Sequence, residues 1–290
     1  NAVQIERLKD KLGNCANASA EVEFLNASAW LVGEEGEGVR QILKMAGYTR
    51  FDCALGSHGL MRRAYSIALY HAHQRQVQGK NLVDQPLMRQ WLASEALRLE
   101  GQTAFLMHLA SAWSQPADEE QRSYCRLLTP AAKYVICKRG PGMVAQAMEV
   151  LGGVGYCEES ELPRLYREMP VNSIWEGAGN VMCLDVLRVL TKQPAAVEGV
   201  GRLMDGVKGQ NRYVDQRWRQ LRAALRRPQE AQAHYLVTQL VNLVIAEQVL
   251  RHLEPPLADA WCRQQLGPDS GFTLSQKVCQ RLLLRATGAS

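Results

Sequence analysis

The chain has 290 residues, 47% of them apolar and 22% charged, which is enough to bury a large core in one or two domains and too apolar for a disordered or low-complexity protein. No membrane span is predicted, because the most apolar stretch, Tyr235 to Leu250, is interrupted by Thr238, Gln239, Asn242 and Glu247, and a soluble cytoplasmic protein is expected. The net charge of +5 is confined to one end: residues 196–290 carry 13 Lys/Arg against 8 Asp/Glu, whereas the rest of the chain is balanced.

Asn1 stands where a Met would start a complete chain, so an N-terminal part is expected to be missing. The run from Ala20 to Leu25 alternates apolar and charged residues as a strand does, and Gly33-Glu34-Glu35-Gly36-Glu37-Gly38 follows as a loop. From Val39 the apolar residues recur at helical spacing through Leu69, as one long helix or two in series. A break from Gln76 to Pro86 precedes a helix over Leu87 to Trp113. Pro116 and Asp118 mark another break, with Asp118 a helix cap, and a helix runs from Glu119 to Lys138. Pro141-Gly142 is expected to be a joint before a short helix, Val144 to Leu151, closed by Gly152-Gly153-Val154-Gly155. A further helix covers Gly177 to Leu190. These segments make an antiparallel bundle. Lys192-Gln193-Pro194 coincides with the change in charge and is taken as a boundary, giving segments 1–36, 37–194 and 195–290. Beyond it, helices are expected over 197–226, 229–252, 256–266 and 273–285. In the first of these, Val207, Val214, Trp218, Leu221 and Leu225 form the buried stripe, while Arg212, Arg219, Arg222 and Arg226 share an adjacent face, with Arg227 beside it. Such a face is either a solvated exterior or a surface for a polyanion such as nucleic acid.

The eight cysteines include no Cys-x-x-Cys pair and read as reduced, packed thiols. His71 and His73, two apart on a helix, point to different sides, so no metal site is expected. The run Ile174-Trp175-Glu176-Gly177-Ala178-Gly179-Asn180 sets one carboxylate beside small residues at the entry to a helix. Glu176 is open to two readings: acidic decoration of a helix start, or a general base held over a ligand.

The stretch Glu149-Val150-Leu151-Gly152-Gly153-Val154-Gly155-Tyr156, continued through Leu162-Pro163-Arg164-Leu165-Tyr166-Arg167-Glu168 to Trp175-Glu176-Gly177, resembles the C-terminal part of acyl-CoA dehydrogenases. The resemblance covers the whole chain. It implies a mainly α fold: the end of a middle β-domain, then a helical bundle, then a basic helical subdomain. In that family FAD lies between the middle and helical domains, and a carboxylate removes the α-proton of an acyl-CoA as the β-hydride moves to the flavin. Glu176 falls at the base position; the alternative base position of the isovaleryl branch is Thr49 here. Burial beside Trp175 is expected, which would make the carboxylate more basic.

By the same resemblance, Arg75, Gln78 and Gly79 match an Arg-x-x-Phe-Gly flavin element, with Gln78 in place of Phe. Glu149, Gly152 and Gly153 match its Gln and glycine pair, and Ala178, Gly179 and Asn180 replace Thr-Ser-Gln, so Ala178 and Asn180 are flavin contacts of altered type. Homotetramers are usual in the family. The segment after Pro194 resembles a branch acting in the response to DNA alkylation, which implies binding of double-stranded DNA with little sequence preference by Arg188, Arg212, Arg219, Arg222, Arg226 and Arg227, alongside weak isovaleryl-CoA-type dehydrogenase activity. The alternatives are a metabolic short- or branched-chain dehydrogenase with a purely structural extension, and a flavin-free scaffold in which Glu176 is inert.

Overall fold

The computed structural model describes residues 1–115, 117–268 and 272–288, so Pro116 of the expected break lies outside the described residues. Two exposed strands, β1 (Val3–Leu8) and β2 (Ala20–Phe24), pair antiparallel, with Val3 opposite Phe24 and a bulge between Ile5 and Arg7. The loop between them is tied to the helical body. Gly13 sits so close to the Arg167 carbonyl that a Cβ there would lie 2.2 Å from it, and Asn14 donates to Glu168 at 2.6 Å.

Three long helices follow, α1 (Gly38–Gln74), α2 (Pro86–Trp113) and α3 (Glu119–Leu151). Their cross-links fix directions. Cys137 donates to the Cys53 carbonyl and Arg126 shares Asp185 with Arg50, so α1 and α3 run parallel; Trp91 bonds Gln146 and Trp113 bonds Thr129, so α2 runs against α3. Asp118 caps α3 by accepting from the Gln121 N–H. The joint expected at Pro141 is absent: α3 continues through Pro130 and Pro141 to Leu151, because Met143, Val144, Ala147 and Val150 are buried beyond it and their packing outweighs the roughly 3 kcal/mol penalty of an interior proline.

Between α1 and α2 the expected break is a small hairpin, β3 (Gln76–Val77) and β4 (Lys80–Asn81). Its two turn residues, Gln78 and Gly79, both have positive φ (51° and 75°), as a type I′ turn requires. After α3 come α4 (Gly153–Tyr156), α5 (Leu162–Asn172) and α6 (Gly179–Lys192). The sequence pattern did not announce α5, which has Pro163 in its first turn and buries Leu162, Leu165 and Met169.

The helix expected over 197–226 is two helices, α7 (Pro194–Asp205) and α8 (Arg212–Arg226). Gly206 and Gly209 (φ 79°) open the chain between them, and Val207 is buried in that link rather than on the α8 stripe. Then come α9 (Ala233–His252), α10 (Pro255–Leu266) and α11 (Gln276–Ala286). α9 is buried on nearly all sides and packs on α2, α3 and α6 as well as on α8 and α10. Trp261 of α10 lies against Gly101 of α2, where a Cβ would approach its indole nitrogen to 2.5 Å. One buried apolar cluster therefore runs from α1 to α11 across residue 194. No helix among the described residues is long and apolar enough to cross a membrane.

The start of α8 rests on Asn211, whose side chain accepts from the N–H groups of Tyr213 and Val214 and donates to Asp259 at 3.0 Å. Asn211→Ala is expected to lower unfolding free energy by about 1–2 kcal/mol, read from urea denaturation; an unchanged midpoint would show that the cap is not needed.

Candidate active site and basic face

Glu176 lies two residues before the Ala178 cap of α6, not in its first turn, so the dipole-decoration reading does not hold. It has φ of 59° and Gly177 has φ of 106°, two left-handed residues in succession. Left-handed backbone is costly for a residue with a Cβ and persists where surrounding contacts fix it. Those contacts are cationic. Arg50 of α1 donates from Nε to the Glu176 carbonyl at 3.0 Å, and Lys133 of α3 donates to the Gly177 carbonyl at 2.7 Å. Thr49 donates its hydroxyl to Glu176 Oε2 at 2.8 Å. The two base positions considered from the sequence thus meet, one as carboxylate and the other as its hydrogen-bond donor. The expected burial is not found: Glu176 is exposed and Trp175 is 37% exposed, its indole donating to Asn172 at 3.1 Å.

Arg50 also reaches a second centre. Asp185 of α6, only 8% exposed at its side chain, accepts from Arg50 (3.0 Å), from both terminal nitrogens of Arg126 (2.6 and 3.0 Å) and from Arg188 (3.4 Å). Burial pushes the Asp185 pKa up, but the Arg126 hydrogen bonds and the charges of Arg126, Arg50 and Arg188 outweigh it and leave the group below its ordinary value. Three guanidiniums around one carboxylate line a cavity of about 410 Å³ with Leu43, Trp113 and Leu184. This places Arg188 here and not beside the arginines of α8. Arg126 and Lys133 had no motif to reveal them; an isolated lysine in an apolar helical stretch is the only trace the latter leaves.

The expected flavin contacts fall into two groups. Ala178 and Asn180 stand at the start of α6, where Gly179 packs on Tyr134 and Asn180 hydrogen-bonds His234 of α9 at 2.8 Å. Arg75, Gln78 and Gly79 lie at the far end of α1, and Glu149, Gly152 and Gly153 at the far end of α3, which is about 28 Å from Lys133 at 1.5 Å per residue. A Cβ built on Gly79, Gly152 or Gly153 meets nothing within 4 Å, so these backbones face open space. Arg75 is exposed and has no carboxylate partner among the described residues.

On α8, Val214, Leu221 and Leu225 are buried and Trp218 partly so, leaving Arg212, Arg219, Arg222 and Arg226 exposed on one side, with Arg227 at the cap. The eight basic residues from Arg202 to Arg227 are not equivalent. Arg202 pairs with Glu120, Arg217 turns to the Tyr235 hydroxyl and the Leu266 carbonyl, and Arg212 lies over the Tyr213 ring. Arg219, Arg222, Arg226 and Arg227 have no carboxylate within 4.0 Å among the described residues. Among those residues no three His, Cys, Asp or Glu side chains gather to hold a metal ion, and six of the eight cysteines are buried as free thiols.

Residues 36–191 match the C-terminal domain of acyl-CoA dehydrogenases. The AidB protein of Escherichia coli (strain K12) is 59% identical over 288 residues, 99% of this chain and 53% of that protein. The chain belongs to the acyl-CoA dehydrogenase family. It spans about half the length of these relatives. Caenorhabditis elegans ACDH-11, solved in complex with C11-CoA, covers 97% of this chain and 54% of its own, with a TM-score of 0.82 and 26% identity. An acyl-CoA dehydrogenase from Bacillus anthracis complexed with FAD covers 99% and 56%, with a TM-score of 0.70; at 18% identity it bears on the fold alone. The acyl-CoA dehydrogenase match ends at residue 191, next to the change in charge, while these fuller likenesses extend through α7–α11.

Asp185→Asn is expected to cost roughly 3 kcal/mol or somewhat less, because Arg126 is half exposed and solvent-screened. Since its folded pKa is depressed, Asp185 contributes stability that is complete above about pH 4 and is lost as pH falls through the folded value. Unfolding measured from pH 7 to 2.5 should show this acid-side loss in the native protein and a flatter profile in Asp185→Asn.

Proposed function

We propose that this chain is the helical and basic part of an FAD-dependent acyl-CoA dehydrogenase-type flavoprotein that also binds double-stranded DNA. The observation that carries the enzymatic half is Arg50, which ties the Glu176 turn to the three-arginine cavity. An acyl-CoA joins a carbon acid to a polyphosphorylated tail, and the site sets a carboxylate beside an anion pocket.

In this reading Arg50, Arg126 and Arg188 hold phosphate oxygens, and Asp185 keeps the three cations together before substrate arrives. Thr49 fixes Oε2 of Glu176, so that Oε1 is the oxygen that takes the α-proton. The residues present fit FAD: open backbone at Gly79, Gly152 and Gly153, and an Arg75 with no carboxylate partner among the described residues, suit a flat ring system with a diphosphate. Gln78, Glu149, Ala178 and Asn180 are the other contacts proposed. When bound, FAD supplies the hydride acceptor. Because one contact group stands beside Tyr134 in the middle of α3 and the other just past its C-terminal end, about 28 Å away, one FAD touches both only if a second copy supplies one of them, which supports a homotetramer or other self-assembly. Free thiols support a cytoplasmic setting.

The DNA half rests on Arg219, Arg222, Arg226 and Arg227, with Arg212 beside them. Four exposed guanidiniums with no carboxylate within 4.0 Å among the described residues neutralise phosphates and read no bases. The extension as an architecture does not specify DNA, since ACDH-11 shares it and was solved with an acyl-CoA. The second reading is a metabolic short- or branched-chain dehydrogenase in which α7–α11 only pack. The segment 195–290 is proposed as a basic subdomain fused through a common core.

Three measurements separate these readings. Duplex DNA should bind the full-length protein with affinity that falls as salt rises, and Arg219→Glu with Arg222→Glu should lower the log–log salt slope by about 2; salt-independent or absent binding removes DNA from the account. Isovaleryl-CoA turnover with an electron acceptor should fall about 10²–10⁴-fold in Glu176→Gln, and fast native turnover without DNA binding favours the metabolic reading. A full-length protein that gains no flavin absorbance on adding FAD would leave only a scaffold.

A further inference from the structure

Lys133 lies in the middle of α3, 1% exposed and among the largest fully buried side chains. Placing an ammonium there is unfavourable, and no carboxylate lies within 4.0 Å of it among the described residues. The thiols of Cys53 and Cys137 beside it are both raised by burial. Burial pushes the lysine pKa down, Cys137 and Cys53 act in the opposite sense, and the nearby Arg50 and Glu176 contribute less, the first lowering and the second raising it. The one hydrogen bond its ammonium makes among the described residues goes to the Gly177 carbonyl, at 2.7 Å.

That carbonyl belongs to the second of two left-handed residues, and the carbonyl before it is held by Arg50. Successive carbonyls, turned the way a right-handed chain would not turn them, are thus each met by a cation from a different helix. A methionine would fill the same space without the cost of a buried charge, so what the lysine adds is the grip on Gly177.

We propose that Lys133 is a positioning residue for the base turn: its ammonium fixes the Gly177 carbonyl and, with Arg50 and Thr49, sets where the Glu176 carboxylate points. The proposal rests on the reading of Glu176 as the base. It assigns Lys133 no contact with substrate or flavin. Besides their direct charge interaction, the cation and the carboxylate are coupled through the backbone of residues 176 and 177.

The test uses the full-length flavoprotein and compares Lys133→Met, Lys133→Arg and Glu176→Gln with the native protein. Hydrogen exchange read by mass spectrometry gives a measure that does not depend on turnover. In Lys133→Met, peptides covering residues 174–182 are expected to exchange at least tenfold faster, while peptides from α2 and α9 keep their protection. With isovaleryl-CoA, kcat is expected to fall about 10- to 100-fold with KM nearly unchanged, as for a displaced catalytic group. Lys133→Arg, which keeps the cation, is expected to return both towards native values. Unchanged exchange at 174–182 with unchanged kcat overturns the proposal. So does loss of protection throughout α2 and α9, which would make Lys133 a support of the whole fold. If Glu176→Gln turns over normally, the base reading fails, whereas the exchange data still decide whether Lys133 holds the turn.

Discussion

The left-handed pair Glu176–Gly177 is the constraint to which the surrounding helices answer. A glutamate at φ of 59° keeps that conformation only while something holds it, and the holders are Arg50, Lys133 and Thr49. Two of them stand on α1 and one on α3, so those helices must pack side by side at residues 49–50 and 133 for all three to reach one turn. The alanine, leucine and methionine side chains between them supply the burial that sets this packing. α6, which starts just beyond the turn, then carries Asp185 to where Arg50 and Arg126 can share it. The arrangement is economical in residues: Arg50 serves both centres, through Nε to a carbonyl and through Nη1 to a carboxylate.

Charge is organised differently at the two ends of the chain. Around Asp185 the arginines are drawn together by one acid and line a cavity. On α8 the arginines are exposed along one side of the helix, and Arg222 and Arg226 line another cavity with Arg202, Glu198 and Asp205. Some of the C-terminal excess is spent on acids earlier in the chain, Glu120 and Glu100, by Arg202 and Arg285, while Arg251 and Arg281 pair with Glu247 and Glu254 of their own segment. The arginines left over are therefore few and adjacent. His234, on buried α9, hydrogen-bonds Asn180 at the start of α6 and stacks on Tyr134, so the basic segment reaches the neighbourhood of the Glu176 turn.

Much of the helical architecture was legible because apolar spacing, caps and breakers agree. Asp118 caps α3, and α6 and α9 to α11 fall within a few residues of their expected bounds. The misses have physical causes. Pro141 reads as a joint, but the burial on both sides of it decides for a continuous helix. Gly206 and Gly209 split what periodicity joined, since the spacing of Val207 and Val214 happens to continue the stripe across a loop. In the site, Glu176 could be singled out from its small neighbours, yet its exposure and its left-handed backbone could not. Arg126 and Lys133 are distant in sequence from everything they bind, and only the packing of α3 on α1 and α6 brings them there.

In the proposed reaction the clamped Glu176 carboxylate takes the α-proton of an acyl-CoA. The most direct test of this is washout of deuterium from α-deuterated acyl-CoA incubated with the full-length flavoprotein, followed by mass spectrometry, because this reads C–H proton transfer apart from passage of electrons to an acceptor. The native protein should lose the α-label to water, and Glu176→Gln should lose it at least about 10²-fold more slowly. Equal washout in the two proteins would contradict the account.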